Sequence, residues 1–369
     1  MKNYWLVLLG CIFCACSRGQ TVPAANGLTP LPNGVSEEHA ALVYQHAKTF
    51  PEKTQLSVAL LYPDQTYFLG ILRENDTLRF AANESRVFEV GSISKVFTAT
   101  LLAHQVIQGR VSLTEPIGHY VEKELNEARE ITFLQLANHT SGLPRLPTNL
   151  NPFTFNPENP YRDYDGAKLE EYLTGGMEAE NQPGSTYGYS NLGAGLLGYL
   201  LERISGASYE EQLQQQVFLP QDMTHSTTDL AKVDSHLIPG LNAVGEPTPH
   251  WEFDALAGAG AILSSANDLS IFARAHFDLE NPVLALTREA TFNIRDNMRI
   301  GLGWHLPRTK SGQEVLWHNG GTAGYTASMA LEPNKKFGVV ILSNVSAFHQ
   351  DKGKIDDLCF ELMDLLLAL

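Results

Sequence analysis

The chain has 369 residues, with 26 Lys and Arg against 41 Asp and Glu and a formal net charge of −15 with histidine neutral. That acidic balance excludes nucleic acid as a partner, because phosphate binding needs a basic face. With 43% hydrophobic and 18% charged residues the composition is globular, and the length fits one large domain with a sizeable insertion or two domains sharing a cleft.

The N-terminus, MKNYWLVLLGCIFCACSRGQ, carries one lysine and then an apolar run from Tyr4 to about Cys16. The run is too short to span a bilayer and reads as a secretory signal. Two of its cysteines fit a lipoprotein signal. Cys11 leaves a very short apolar region, whereas Cys16 gives a better length and is the expected lipidation site, with a plain secretory signal over residues 1–16 as the alternative. Residues 17–35 are small, polar and Pro-rich and are expected to form a flexible tether. Cys359 is then the only cysteine of the mature body, so no intramolecular disulfide is expected there.

From Ser36 a capped helix is predicted, since a serine is followed by acidic residues and apolar spacing of three and four. QLSVALLYPD, QTYFLGILREN and DTLRFAAN then read as meander strands divided by turn signals. EVGSISKVFTATLLAHQVIQG, residues 89–109, places Ser92 and Lys95 at the start of an apolar helix. From about Leu113 to Asp254 the chain is helical and loop-rich, and the Pro-rich stretch LPRLPTNLNPFTFNPENPYRDYDG is read as a wall or lid of a substrate site. Strands return as EVLWHNGG, YTASMALEPN and FGVVILSNV, and the C-terminal KIDDLCFELMDLLLAL is an amphipathic helix suited to packing on a sheet. The expected fold class is therefore α+β. N- and C-terminal strands (36–112 and 255–369) form one antiparallel sheet flanked by helices, and 113–254 form a mostly helical inserted domain.

No Gly-x-Ser-x-Gly elbow, His-Glu-x-x-His or Walker A loop occurs in the sequence, so no metal or cofactor is implied. Ser92-Ile93-Ser94-Lys95 is the single Ser-x-x-Lys. Residues three apart share a helix face, so the Lys95 amine reaches the Ser92 hydroxyl. Lysine can act as a base toward that hydroxyl when burial lowers its pKa, and apolar Val90, Ile93, Val96 and Phe97 supply the burial. The helix N-terminus favours negative charge developing at Ser92. Tyr189-Ser190-Asn191 offers a phenol for proton shuttling and an amide for a substrate carbonyl and for the Lys95 amine. His318-Asn319-Gly320-Gly321 ends a strand at glycines that let a substrate approach the backbone, and the Gly321 and Ser92 amides then form an oxyanion hole. Each of these short motifs is expected roughly once by chance in a chain of this length, so their order and setting carry the weight.

In that setting FEVGSISKVFTA, YGYSNLGAGLLG and HNGGTAGY resemble the three active-site elements of serine hydrolases related to class C β-lactamases and D-alanyl-D-alanine carboxypeptidases. LANHTSGLP, GAGAILSSANDLSIFA, GLGW and GVVILSN are similar to the linking sequences, and the likeness extends over nearly all of residues 40–350. The resemblance implies a β-lactamase/transpeptidase-like fold and Ser92 as acylated nucleophile. It implies Lys95 and Tyr189 as the proton-transfer pair, with either one as general base, and Asn191 as holder of substrate and lysine. It further implies His318, Asn319 and Gly320 at the substrate, and an oxyanion hole from the Ser92 and Gly321 amides. The expected partner is a small-molecule or peptide acyl substrate: a β-lactam, a D-Ala-type peptide or an ester. Export to the periplasm or envelope on a lipidated Cys16 is also expected. A non-catalytic envelope binding protein is the reading from another class. Where the lactamases carry Lys-Thr-Gly this chain has His318-Asn319-Gly320, which supplies no permanent positive charge for a substrate carboxylate. Leu146 falls where those enzymes place a glutamine. Arg145 is read as a solvated loop residue in preference to an anion anchor, and His139 as a loop histidine fixed by neighbouring hydroxyls.

Overall fold

The computed structural model describes residues 22–121, 127–150, 158–175 and 179–369. The expected signal, Cys16 and residues 17–21 of the expected tether lie outside the described residues, as do residues 151–157 of the Pro-rich stretch.

The N-terminal part contributes β1 (Ala25–Asn26), helix α1 (Glu37–Ala47), β2 (Gln55–Leu61), β3 (Thr66–Glu74), β4 (Thr77–Phe80) and β5 (Val87–Glu89). Then follow α2 (Ser94–Ile107), α3 (Phe133–Ala137), α4 (Gly166–Gly175), α5 (Asn191–Ser205) and α6 (Tyr209–Leu213). The short strands β6 (Gly240–Leu241) and β7 (Pro247–Thr248) precede β8 (Leu263–Ser265), α7 (Ala266–Ala275) and α8 (Pro282–Arg288). The chain closes with β9 (Phe292–Arg295), β10 (Met298–Ile300), β11 (His305–Pro307), β12 (Leu316–Gly321), β13 (Thr326–Glu332), β14 (Phe337–Ser343) and α9 (Gly353–Leu367).

Ten strands form one sheet in the order β1-β4-β3-β2-β14-β13-β12-β11-β10-β9. Its two halves, one from each end of the chain, meet where β2 pairs antiparallel with β14 from Leu61↔Gly338 to Leu56↔Ser343. This is the α+β architecture expected from the order of strands, helices and strands. Helices cover both faces. On one side Leu56, Val58, Leu60, Val339 and Ile341 pack with Val43 of α1 and Leu358 and Leu362 of α9. On the other, Ala59, Leu61, Val340 and Leu342 join the larger core around α2, α5 and α7. Burial on both faces explains why the central strands read as nearly continuous apolar runs.

Helix α1 starts where Ser36 predicts, with the Ser36 hydroxyl accepting from the His39 amide at 3.2 Å and His39 Nδ1 accepting from the Ser36 amide at 3.1 Å. The tether expectation is corrected for residues 22–35. Ala24, Leu28 and Val35 are buried, Ala25–Asn26 pairs in parallel with Thr77–Leu78, and Arg73 Nη2 donates to the Val22 carbonyl at 3.0 Å. The segment is held because β4 would otherwise end the sheet as an unpaired edge, and covering such an edge needs only main chain and a few small apolar side chains.

Helix α2 is buried on almost every side, which accounts for its apolar composition all round. Phe97 stacks on Phe272 of α7 with ring centroids 4.0 Å apart. Against α2 lies α5, whose Gly198 meets Gly258 so closely that a Cβ there would sit 2.9 Å from the Gly258 Cα. That approach carries residues 258–259 onto the first turn of α2.

Candidate active site

Strand β5 pairs with β8, and the Val90 amide extends the ladder to the Ile262 carbonyl at 3.1 Å. The chain then turns sharply at Gly91, whose φ of +51° favours glycine. A single 310 turn, Gly91–Ile93, leads into α2 and puts Ser92 at the helix entrance. Lys95, one turn on, is 3% exposed, and its Nζ donates to Ser92 Oγ at 3.0 Å and to the Ala259 carbonyl at 2.7 Å. Burial, and after it the positive charge of Arg145, hold the Lys95 pKa well below the ordinary lysine value. The amine is thereby poised to be neutral and to accept a proton from the hydroxyl beside it.

Tyr189 reaches the same point from the start of α5. Ser190 caps that helix, its hydroxyl accepting from the Gly193 amide at 2.8 Å and donating to the Pro144 carbonyl at 2.7 Å. The Arg145 carbonyl accepts from the Asn191 and Leu192 amides at 3.0 and 3.2 Å. This capping binds the Pro144-Arg145 loop to α5 and sets Arg145 over the Tyr189 ring, its guanidinium carbon 5.1 Å from the centroid. Lys95 Nζ lies 4.9 Å from the same centroid. Burial pushes the Tyr189 phenol well above its usual range, while its hydrogen bond with Ser92 pulls the other way. Burial thus favours the neutral phenol just as it favours the neutral Lys95 amine.

Strand β12 closes the site. The Thr322 amide donates to the Tyr325 carbonyl at 2.9 Å, so the next pair, Gly321↔Thr326, is a non-hydrogen-bonded one. Its amide accordingly turns away from β13 and toward Gly91–Ser92. The approach is tight: a Cβ on Gly91 would lie 2.6 Å from the Gly321 nitrogen, and one on Gly320 would lie 1.9 Å from the Val90 carbonyl oxygen. Glycines at both places let the end of β12 lie directly against the Gly91–Ser92 turn, which brings the Gly321 amide close to Ser92. A cleft of about 380 Å³ opens there, lined by Ser92, Arg145, Tyr189, Asn319, Lys352 and Asp356 among others.

Four expectations are corrected. Asn191 does not hold Lys95: its Nδ2 donates to the Tyr161 hydroxyl at 3.1 Å, its Oδ1 is buried without a hydrogen-bond partner, and the Ala259 carbonyl takes the lysine instead. His318 does not line the cleft. It is buried, its Nδ1 donates to the Asn319 carbonyl at 2.6 Å, and burial followed by the neighbouring His305 and Lys95 keeps its pKa well below the ordinary value. Asn319, on the opposite face of the strand, lines the cleft in its place. Arg145 is not a solvated bystander, since it forms part of the cleft wall and bears on Lys95. His139 is structural as expected, but no hydroxyl fixes it: the Ser190 amide donates to its Nδ1 at 3.3 Å and its ring lies 4.5 Å from that of Tyr189. Two groups were not anticipated. The Ala259 carbonyl has no side-chain signature. Asp356, on the first turn of α9, was detectable as an acid on the stripe shared by Cys359 and Met363.

The profile of the Beta-lactamase family matches residues 52–361. A β-lactamase of Pseudomonas fluorescens is 24% identical over 347 residues, spanning 84% of this chain and 93% of its own. Protein flp of Staphylococcus aureus (strain N315) is 24% identical over 289 residues, or 73% of this chain, and the chain spans 55% of the length of that relative. Among solved structures, the β-lactamase/D-alanine carboxypeptidase from Pseudomonas syringae superposes with a TM-score of 0.72 at 22% identity, covering 89% of this chain and 99% of that one. Over nearly its whole folded body, the chain belongs to the Beta-lactamase family.

Proposed function

We propose that the protein is a serine acyl hydrolase that works through an ester formed on Ser92. The observation that carries this reading is the buried Lys95 amine 3.0 Å from Ser92 Oγ, with its proton affinity lowered by burial and by Arg145. Lys95 takes the Ser92 proton as Oγ attacks the acyl carbon, and the Ser92 and Gly321 amides hold the negative oxygen that results. The Tyr189 phenol gives its proton to the departing group and regains one from the Lys95 ammonium. Water then attacks the ester by the same route in reverse, releasing the acid and free Ser92. Amides, lactams and esters all fit this chemistry, as D-Ala-type peptides or β-lactams would be handled. The withdrawal of His318 into the interior, neutral, leaves no fixed cation on β12 for a substrate carboxylate. Incubating the protein with a fluorophosphonate and mapping the adduct by mass spectrometry tests the core of the proposal. A single adduct on Ser92 is expected, and an unlabelled Ser92 in folded protein would overturn it.

The position of Arg145 sets an expectation of its own. Its charge favours the neutral form of Lys95, so Arg145→Ala raises the Lys95 pKa and moves the acidic limb of the pH profile of Ser92 labelling to higher pH. Arg145→Lys keeps the charge and most of the original profile. Identical limbs for wild type and Arg145→Ala would remove Arg145 from the proton balance.

The N-terminal apolar run and Cys16 support an exported enzyme tethered by a lipidated cysteine. Among the described residues no helix is long and apolar enough to cross a membrane.

A further inference from the structure

Successive side chains of β12 point to opposite faces, so Asn319 faces α9 while His318 faces Tyr189. Asn319 Nδ2 donates to Asp356 Oδ2 at 2.7 Å. A carboxylate only accepts, so this contact fixes which way the amide is turned. Its NH2 is committed to Asp356, and among the described residues no donor is bonded to Asn319 Oδ1, on a residue that lines the cleft. Asp356 lines the cleft as well, and its Oδ1 is buried without a hydrogen-bond partner. Burial is also the main reason its proton affinity is raised, with Ser328 and Asn319 opposing. The neighbouring cation Lys352 is exposed and forms no ion pair among the described residues, so water screens its field more than that of Asp356.

We propose that the wall formed by Asn319 and Asp356 is an acceptor wall that selects acyl donors by the group they present to it. Resting on the Ser92 acyl-enzyme reading, this deepens it by naming a substrate class. The class is esters and amides whose group beside β12 is uncharged or carries an N–H or ammonium donor. Asn319 Oδ1 accepts from such a donor, and the Asp356 charge behind it strengthens the bond. A carboxylate set against Asn319 meets a lone pair backed by an anion, and the Arg145 guanidinium of the cleft wall stands over the Tyr189 ring instead.

A matched pair of thioester depsipeptides tests this, one ending in a free carboxylate and the other in the carboxamide. The wild-type protein is expected to show a kcat/KM for the carboxamide at least about tenfold above that for the carboxylate. Asp356→Asn frees the Asn319 amide to turn its NH2 to the cleft and removes the anion, and the preference falls to within about twofold of unity. Asn319→Thr, which offers a hydroxyl able to donate, lowers the preference by a second route should Asp356→Asn fail to fold. The ratio is read within each protein, so a general loss of activity cancels. A wild type that favours the carboxylate, or a preference unchanged in both variants, overturns the proposal. Fluorophosphonate labelling of Ser92 in the same samples separates the two readings: no label overturns the acyl-enzyme, whereas label with an unchanged ratio overturns only the acceptor wall.

Discussion

Lys95→Met leaves a folded protein in which acylation of Ser92 falls by about 10³- to 10⁴-fold, the upper range for loss of a positioned base. Methionine nearly matches the volume of lysine and removes an amine that is 3% exposed, so packing with Val96 and Phe97 survives. The substitution abolishes the contact that takes the Ser92 proton and strands the Ala259 carbonyl, both of which the amine serves at 3.0 and 2.7 Å. Time-resolved fluorophosphonate labelling with thermal unfolding on the same samples separates chemistry from folding. Unimpaired labelling in a folded Lys95→Met protein would require a different base. Tyr189 is a poor substitute, because burial favours its phenol form.

Stability falls steeply as the pH drops from 7.5 to 5. His139, His276, His305 and His318 are buried, and desolvation is the first cause lowering each pKa, to about 3 for His276 and about 4 for His305. Both ring nitrogens of His276, Nε2 of His139, Nδ1 of His305 and Nε2 of His318 are buried without partners, so protonating these rings buries a charge that few contacts offset. Unfolding releases these rings to bind protons near pH 6.5. Their contribution is complete above that value and is lost as the pH falls toward the folded-state values. Each ring still neutral in the fold at pH 5 costs about 2 kcal/mol there. For His276 and His305, with folded values of about 3 and about 4, the loss is together about 4 kcal/mol, a large part of the roughly 5–15 kcal/mol of a typical domain. Urea unfolding at the two pH values measures the loss, and equal midpoints would contradict the burial of neutral histidines. Activity and stability thus decline together on the acid side, one through Lys95 and the other through the histidines.

The sheet was legible in the sequence because its central strands are short β-prone runs set between turn signals, and α1 because its serine cap begins an amphipathic pattern. Ser92, Lys95 and Tyr189 were legible as chemistry only through their order along the chain, and the structure brings the three together. What stayed hidden has a common physical cause. Main-chain groups carry no side-chain signature, so neither the Ala259 carbonyl at Lys95 nor the Arg145 carbonyl that caps α5 is visible in a sequence. Without that cap, nothing distinguishes Arg145 from any exposed loop cation. The misassigned role of His318 has another origin: alternation puts His318 and Asn319 on opposite faces, but only the pairing of β12 with its neighbours says which face meets the cleft. Ala24, Leu28 and Val35 were hidden because three small apolar residues in a Pro-rich stretch are too sparse to form a period.

The seam between β2 and β14 also has a kinetic side. It joins residue 56 to residue 343, so the centre of the sheet cannot close until almost all of the polypeptide is available. Ser92 comes before the inserted helices and Gly321 after them, and β12 is held in register by β13 and β14. Contacts so distant in sequence form late and slowly, because the closure entropy of the long intervening loop must be met before the pairing compensates it. The nucleophile and its oxyanion donor therefore meet only in the final stage of folding, and a nascent chain has no assembled site with which to act before its synthesis is nearly complete.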